Sequence, residues 1–293
     1  MTPELLDCIS LRVPAMAMEG FEAALSSVCR AVSFYHDEDL DEWDIQGVKE
    51  RGEHEDELQS ALLVAQILTG FAPEIERGLV PVAGWLARTQ AAFPEQYIGK
   101  RFVVRGTHIV EPPPPGRITL TLDAGLAFGT GEHNSTRGCL VALERLVKYH
   151  RPRQILDLGT GSGILAIAAA KMLHQPVLAS DIDFRAARVA NANARLNGVA
   201  GLVHAIRADG WAAKRITRAA PYDLVFANIL ARPLCAMAHQ LGAKLAPGGV
   251  AILAGLLNTQ VNWVLSAHRR AGLRLERRIV DGAWSILTLR KPG

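Results

Sequence analysis

The sequence has no run of eighteen apolar residues, so no membrane-spanning helix is expected. Its opening stretch, Met1 to Met18, carries acids at Glu4 and Asp7 and no basic cluster, which argues against a secretory signal. Cysteine is scarce. Cys8, Cys29, Cys139 and Cys235 lie far apart and form no Cys-x-x-Cys pair, so buried thiols in a reducing cytoplasm are expected, with neither a disulfide framework nor a thiolate metal site. The nine histidines are equally scattered, and no zinc site is expected.

What is present divides the chain in two. The net charge is only +3, yet residues 1–100 hold 18 acids against 7 bases and residues 101–293 hold 11 against 25. Halves with balances of −11 and +14 read as two domains with different work, which 293 residues can accommodate. The acidic half makes a poor nucleic-acid binder and suits docking of a basic protein. In it, Cys8 to Val13, Ala31 to Tyr35, Trp43 to Val48 and Ile75 to Val82 read as strands. Glu19 to Cys29 and Glu55 to Leu68 carry apolar residues at helical spacing. That order predicts a small ferredoxin-like α+β domain over residues 1–82, with Asp37, Glu38, Asp39, Asp41, Glu42 and Asp44 concentrated in its central hairpin. Residues 83–117 read as a linker: a short helix over Gly84 to Phe93, a strand over Arg101 to Arg105, and a stiff proline run at Pro112 to Pro115.

Residues 118–293 read as an α/β domain whose strands and helices alternate and predict a doubly wound sheet of seven strands. Leu273 to Val280 and Trp284 to Arg290 are joined by a short link, so the sheet should end in an antiparallel pair. Its centre is the stretch from Gln154 to Gly163, an apolar strand that runs into Asp157-Leu158-Gly159-Thr160-Gly161-Ser162-Gly163 and then an alanine-rich helix. Strand, glycine turn and helix place backbone N–H groups and a helix N-terminus against a ligand. Two ligands remain open at this point. Gly161-Ser162-Gly163-Ile164-Leu165-Ala166 also fits a dinucleotide pattern, with Asp181 where a ribose-binding acid belongs, which would suit NAD. Asp157 favours S-adenosylmethionine, because a carboxylate in the turn repels pyrophosphate and attracts the ammonium of an amino acid.

Further candidates sit at the ends of other strands. Asp181 can accept both hydroxyls of a ribose, and Asp209 can accept from an adenine amino group. Asn228 ends the strand Tyr222 to Ala227 at the same carboxyl edge. The glycine-dense loop from Asp123 to His133 holds Phe128 and His133 and suits a lid or floor for the ligand, ahead of a helix that Asn134-Ser135-Thr136 can cap.

Together, G-L-A-F-G-T-G-E-H (125–133), D-L-G-T-G-S-G (157–163), D-I-D (181–183) and A-N-I-L (227–230) resemble the methyltransferases of ribosomal protein L-eleven of the large subunit. The glycine turn is common to all class I methyltransferases, whereas the first loop paired with A-N-I-L is specific. The resemblance covers residues 118–293 strongly and the N-terminal half by layout and length. It implies a class I methyltransferase that moves methyl groups from S-adenosylmethionine to lysine ε-amines and the α-amine of that basic protein. It also implies an N-terminal domain that recruits the substrate, and cofactor contacts at Thr136, Gly159, Asp181 and Asn228. Gly161, Asp157, Phe128 and Asp209 complete the expected cofactor set. Asn228 is the expected catalytic residue, aiming the amine, with His133 as a possible proton relay. Methyltransferases of flat amide or base nitrogens carry an aromatic ring after the corresponding Asn or Asp, and here Ile229 and Leu230 follow, which suits a flexible amine. An N-methyltransferase of another protein or of RNA and an NAD-dependent oxidoreductase are the competing readings. No dedicated nucleic-acid binding is expected, and a cytoplasmic monomer is.

Overall fold

The computed structural model describes residues 5–37, 42–81, 94–122 and 134–293. The chain forms two compact units, Met1–Ala92 and Phe93–Gly293. In the first, β1 (Leu5–Pro14), α1 (Ala15–Val28), β2 (Ala31–Asp37), β3 (Glu42–Glu50), α2 (Glu55–Thr69) and β4 (Ile75–Pro81) follow one another. The antiparallel sheet has the order β2-β3-β1-β4, which is the ferredoxin-like arrangement. Alternate residues Ile9, Leu11 and Val13 of β1 pack under Phe21 and Leu25 of α1 and Leu58 and Leu62 of α2. Proline tolerates a helix start, so α1 begins directly after Pro14, earlier than the expected Glu19. Lys49 is only 2% exposed and sits between Asp7 at 3.0 Å and Glu55 at 3.3 Å, tying β3 to β1 and α2.

The second unit opens with a three-stranded sheet of β5 (Gln96–Ile98), β6 (Phe102–Gly106) and β7 (Ile118–Leu122). β6 and β7 run parallel, and the proline run lies in the crossover between them. It therefore stiffens a connection inside one unit, whereas the sequence placed it in a linker between domains. Buried Arg105 of β6 holds that connection by donating to the carbonyls of Ile109 and Glu111. The helix expected over Gly84 to Phe93 lies outside the described residues.

The main sheet comprises β8 (Ile155–Leu158), β9 (Val177–Asp181), β10 (Val203–Arg207), β11 (Tyr222–Asn228), β12 (Leu245–Leu257), β13 (Arg274–Asp281) and β14 (Trp284–Arg290). Its order is β10-β9-β8-β11-β12-β14-β13. The first five are mutually parallel, and β14 runs antiparallel between β12 and β13. Helices α3 (Asn134–Leu146), α4 (Ile164–Leu173) and α5 (Phe184–Leu196) share a core with Ile155, Phe226 and Ile252 on one face. On the other, α6 (Lys214–Ala219), α7 (Ala231–Lys244) and α8 (Val261–Arg270) cover Leu156, Val225 and Leu253. The expected doubly wound sheet with an antiparallel last strand is thus present. β12 starts at Leu245 and carries Pro247-Gly248-Gly249 within it.

Candidate functional site

β8 is flanked by β9 on one side and β11 on the other, so the strand order turns back there and a crevice opens at the carboxyl ends of β8 and β11. The chain leaves β8 through Gly159, Gly161 and Gly163, all with left-handed backbone (φ +68°, +52° and +83°). Gly159 is required for a second reason. A Cβ there would lie 2.2 Å from Cγ2 of Ile229, so only glycine lets the turn lie against the exit of β11.

The amides of this turn are already engaged. Those of Gly159 and Thr160 donate to the Ser180 carbonyl at 2.8 and 2.9 Å, and that of Gly163 donates to the Thr160 carbonyl at 2.8 Å. The Gly161 amide donates to Oδ2 of Asp181 at 2.9 Å. A pyrophosphate would need such donors free, and a carboxylate occupies one of them. Asp181 also accepts the Asp183 amide at 3.1 Å, yet each of its oxygens keeps a further lone pair for a ribose diol.

Asp157 lies beneath the turn and is only 1% exposed. Its Oδ2 accepts from the Thr160 hydroxyl at 2.6 Å and from the Ala166 amide at 3.2 Å, so it closes the turn and caps the N-terminal end of α4. Oδ1 is buried without a hydrogen-bond partner. Burial raises the carboxyl pKa to about 7, against which the Thr160 and Ala166 bonds act. The sequence placed Asp157 in direct contact with the cofactor. The structure buries it beneath the turn, bonded to Thr160 and Ala166.

Asn228, the last residue of β11, donates its side-chain amide to Oγ1 of Thr136 at 3.1 Å across 92 residues of sequence. Thr136, in the first turn of α3, is 2% exposed. This bond fixes the Asn228 side-chain amide and leaves the Asn228 carbonyl oxygen to accept from something else. Asp209 is exposed two residues past β10, and the Ala208 amide beside it donates to the Asp181 carbonyl at 2.8 Å. The structure thus brings Thr136, Asp157, Gly159, Gly161, Asp181 and Asn228 to one strand edge, with Asp209 next to Asp181. Phe128 and His133 lie outside the described residues.

Sequence reasoning missed the frame that holds this edge. Asn197, just past α5, pairs with the backbone of Thr121 as a neighbouring strand would, accepting from its amide at 2.9 Å and donating to its carbonyl at 2.6 Å. Lys171 donates to the same Asn197 oxygen and to the Thr119 carbonyl at 2.9 and 2.6 Å. One turn earlier, Asn193 donates to the Ser162 carbonyl in the glycine turn at 2.8 Å. β7 and the turn therefore hang on one face of α5. The available signal was asparagine at position 193, because asparagine is a poor residue for a helix interior unless its side chain finds a partner.

Two carboxylates, at and beneath a turn whose amides are taken, fit a cationic ligand without phosphate. S-adenosylmethionine has that chemistry and NAD does not.

Comparison with known proteins agrees. The family model described as "Ribosomal protein L11 methyltransferase (PrmA)" matches residues 18–292. The chain is 51% identical over 193 residues to a "Ribosomal protein L11 methyltransferase" of Bradyrhizobium diazoefficiens, a match that covers 66% of this chain and 65% of that protein, just under two thirds. It is 42% identical over 253 residues to the protein so named from Rhizobium meliloti, covering 86% of each. A crystal structure of ribosomal protein L11 methylase from Lactobacillus delbrueckii subsp. bulgaricus superposes with a TM-score of 0.62 at 28% identity, over 68% of this chain and 99% of that one.

Proposed function

This chain belongs to the ribosomal protein L11 methyltransferase family, and on that footing we propose that it transfers methyl groups from S-adenosylmethionine to amines of ribosomal protein L11. The acceptors are lysine ε-amines and the α-amine. The enzyme acts as a cytoplasmic monomer. The acidic first unit supports recruitment of a basic substrate, since its balance of −11 complements a lysine-rich partner. No helix among the described residues is long and apolar enough to cross a membrane.

The observation that carries this reading is the glycine turn with its amides engaged and carboxylates at Asp157 and Asp181. Asp181 would hold the ribose, Asp209 the adenine amino group, and Gly159 and Gly161 would line the turn against the cofactor. When bound, S-adenosylmethionine supplies an activated methyl group on sulfur. The chain's own task is then to present a neutral amine. Lysine in water has a pKa of about 10.4, so the crevice must favour the uncharged form by desolvation. Asn228 would accept a hydrogen bond from that amine and direct its lone pair, with Thr136 fixing the Asn228 rotamer. Such positioning contributes up to about 7–11 kcal/mol in favourable cases. Ile229 gives no aromatic plane on which a base could stack, and this favours a flexible amine over RNA bases as the acceptor.

Calorimetric titration with S-adenosylmethionine, S-adenosylhomocysteine and NAD tests the cofactor. Saturable binding of the first two, lost in Asp181→Ala, is expected, and saturable binding of NAD would overturn the reading. Mass spectrometry of L11 incubated with the enzyme should then show methylated amines, abolished in a folded Asn228→Ala variant.

A further inference from the structure

The edge of the main sheet opposite the glycine turn has a different character. Strands β8 and β11 begin there, at Ile155 and Tyr222, as does β13 at Arg274, and antiparallel β14 ends there at Arg290. Two basic segments distant in sequence meet at this edge. One follows α3 and contains Lys148, Arg151 and Arg153, all exposed, with the aromatic Tyr149 between them. The other is the outer strand β13, with exposed Arg274 and Arg277. Tyr149 joins them, donating its hydroxyl to Glu276 of β13 at 2.6 Å while the Arg290 guanidinium lies 6.0 Å over its ring. Arg290 in turn is the register partner of Arg274.

Positive charge outweighs negative on this face. The acids that touch it are engaged: Glu276 by Tyr149 and Arg290 (2.5 Å), and Asp223 by the amides of Arg153 and Gln154 at 2.8 and 2.9 Å. Among the described residues, none of Lys148, Arg151, Arg153, Arg274 and Arg277 is within salt-bridge distance of an acid. Tyr149 is 57% exposed despite its contacts, an aromatic ring presented amid cations. Charged residues on an outer strand also serve to block edge-to-edge aggregation. That explains Arg274 and Arg277 but not Lys148, Arg151 and Arg153, which lie on no strand.

We propose that this face binds the sugar–phosphate backbone of RNA. Its five cations, one lysine and four arginines, can neutralise one phosphate each, arginine bidentately, and the Tyr149 ring offers a platform for an unpaired base. Lying at the edge opposite the methyl-transfer crevice, the face would anchor the enzyme on an RNA-containing particle without obstructing that crevice. The balance of +14 over residues 101–293 gave no sign of such a focus, which depends on Tyr149 bringing two segments together.

The test is a fluorescence-anisotropy titration of the full chain with a labelled RNA stem-loop over a range of salt. Saturable binding is expected, with affinity falling on a log–log slope of about −3 to −4. Arg274→Ala/Arg277→Ala should weaken binding at least ~10-fold and reduce that slope by about 2, whereas Tyr149→Ala should weaken it by about tenfold and leave the slope unchanged. Thermal melting of each variant separates a loss of contact from a loss of fold. Absence of binding at low salt, unchanged affinity in the folded double variant, or equal competition by polyglutamate would each overturn the proposal, the last by marking a site for an acidic protein. Titration with S-adenosylmethionine in the same preparations is independent, so failure of the RNA result leaves the catalytic reading standing, and the reverse holds as well.

Discussion

Asp157 is a carboxyl group whose surroundings oppose its ionisation, and that gives it a measurable pH signature. Its folded pKa of about 7 exceeds the usual 3.8, so between those values the native state holds a proton that the unfolded chain releases. Stability from this group is therefore full below about pH 4, falls as pH rises toward 7, and is level above. A bound sulfonium ligand changes the preference, since a nearby cation favours the carboxylate. Affinity for S-adenosylmethionine should accordingly rise by about tenfold between roughly pH 6 and 8. In Asp157→Asn, which can still accept from Thr160 and Ala166, that rise should flatten. Calorimetry on both proteins checks this, and the comparison removes any titration of the ligand itself. Identical pH dependence in the two would show that the charge of Asp157 is not felt at the site.

Among the elements, β7 is the one most dependent on side chains. It pairs with β6 on one side, and on the other Asn197 and Lys171 stand in for a strand. Asn197→Ala would leave both backbone groups of Thr121 unbonded and deprive half-buried Lys171 of an acceptor. A loss of about 3 kcal/mol in urea unfolding is expected, with Asn197→Asp intermediate because it keeps the acceptor. This dependence also shows which parts of the molecule were legible. The elements of the main sheet were readable because apolar runs, Asn197-Gly198 and the glycine turn are local signals with local causes. α5 carries such a local signal at its start, where the Asp183 side chain accepts the Arg185 amide. The partners of Asn197 and Thr136 could not be read, because the groups they serve lie 76 and 92 residues away. Nor does an acid at a strand end announce whether it faces a ligand or caps the helix behind it, as Asp157 does. The proline run misled for a related reason. Proline stiffness is local, but whether it separates domains or braces a crossover depends on how β6 and β7 pair.

Across the whole molecule, the opposed charges of the two units set different sensitivities. The first unit keeps its strongest polar anchor inside, where Lys49 meets Asp7 and Glu55. Both carboxyls sit below their ordinary pKa: Asp7 chiefly through the Gly52 amide, Glu55 chiefly through Arg77, with Lys49 adding to each. The stability they contribute is present above about pH 4 and is lost as pH falls through their lowered values. Lys49→Met should destabilise this unit by about 2–3 kcal/mol, under the range for fully buried pairs because both acids retain contact with water. It should also reduce the acid sensitivity of unfolding, which far-UV circular dichroism from roughly pH 3 to 7 would follow. In the second unit, β14 lies between β12 and β13 although it follows both in the chain. A ribosome making this protein has therefore delivered six of the seven strands before the gap between β12 and β13 can be filled. Until residue 290 has emerged, the backbone edge of β12 stays unpaired and the catalytic sheet cannot close. An enzyme proposed to modify a ribosomal protein would thus become competent only after its own synthesis has passed the last strand of its sheet.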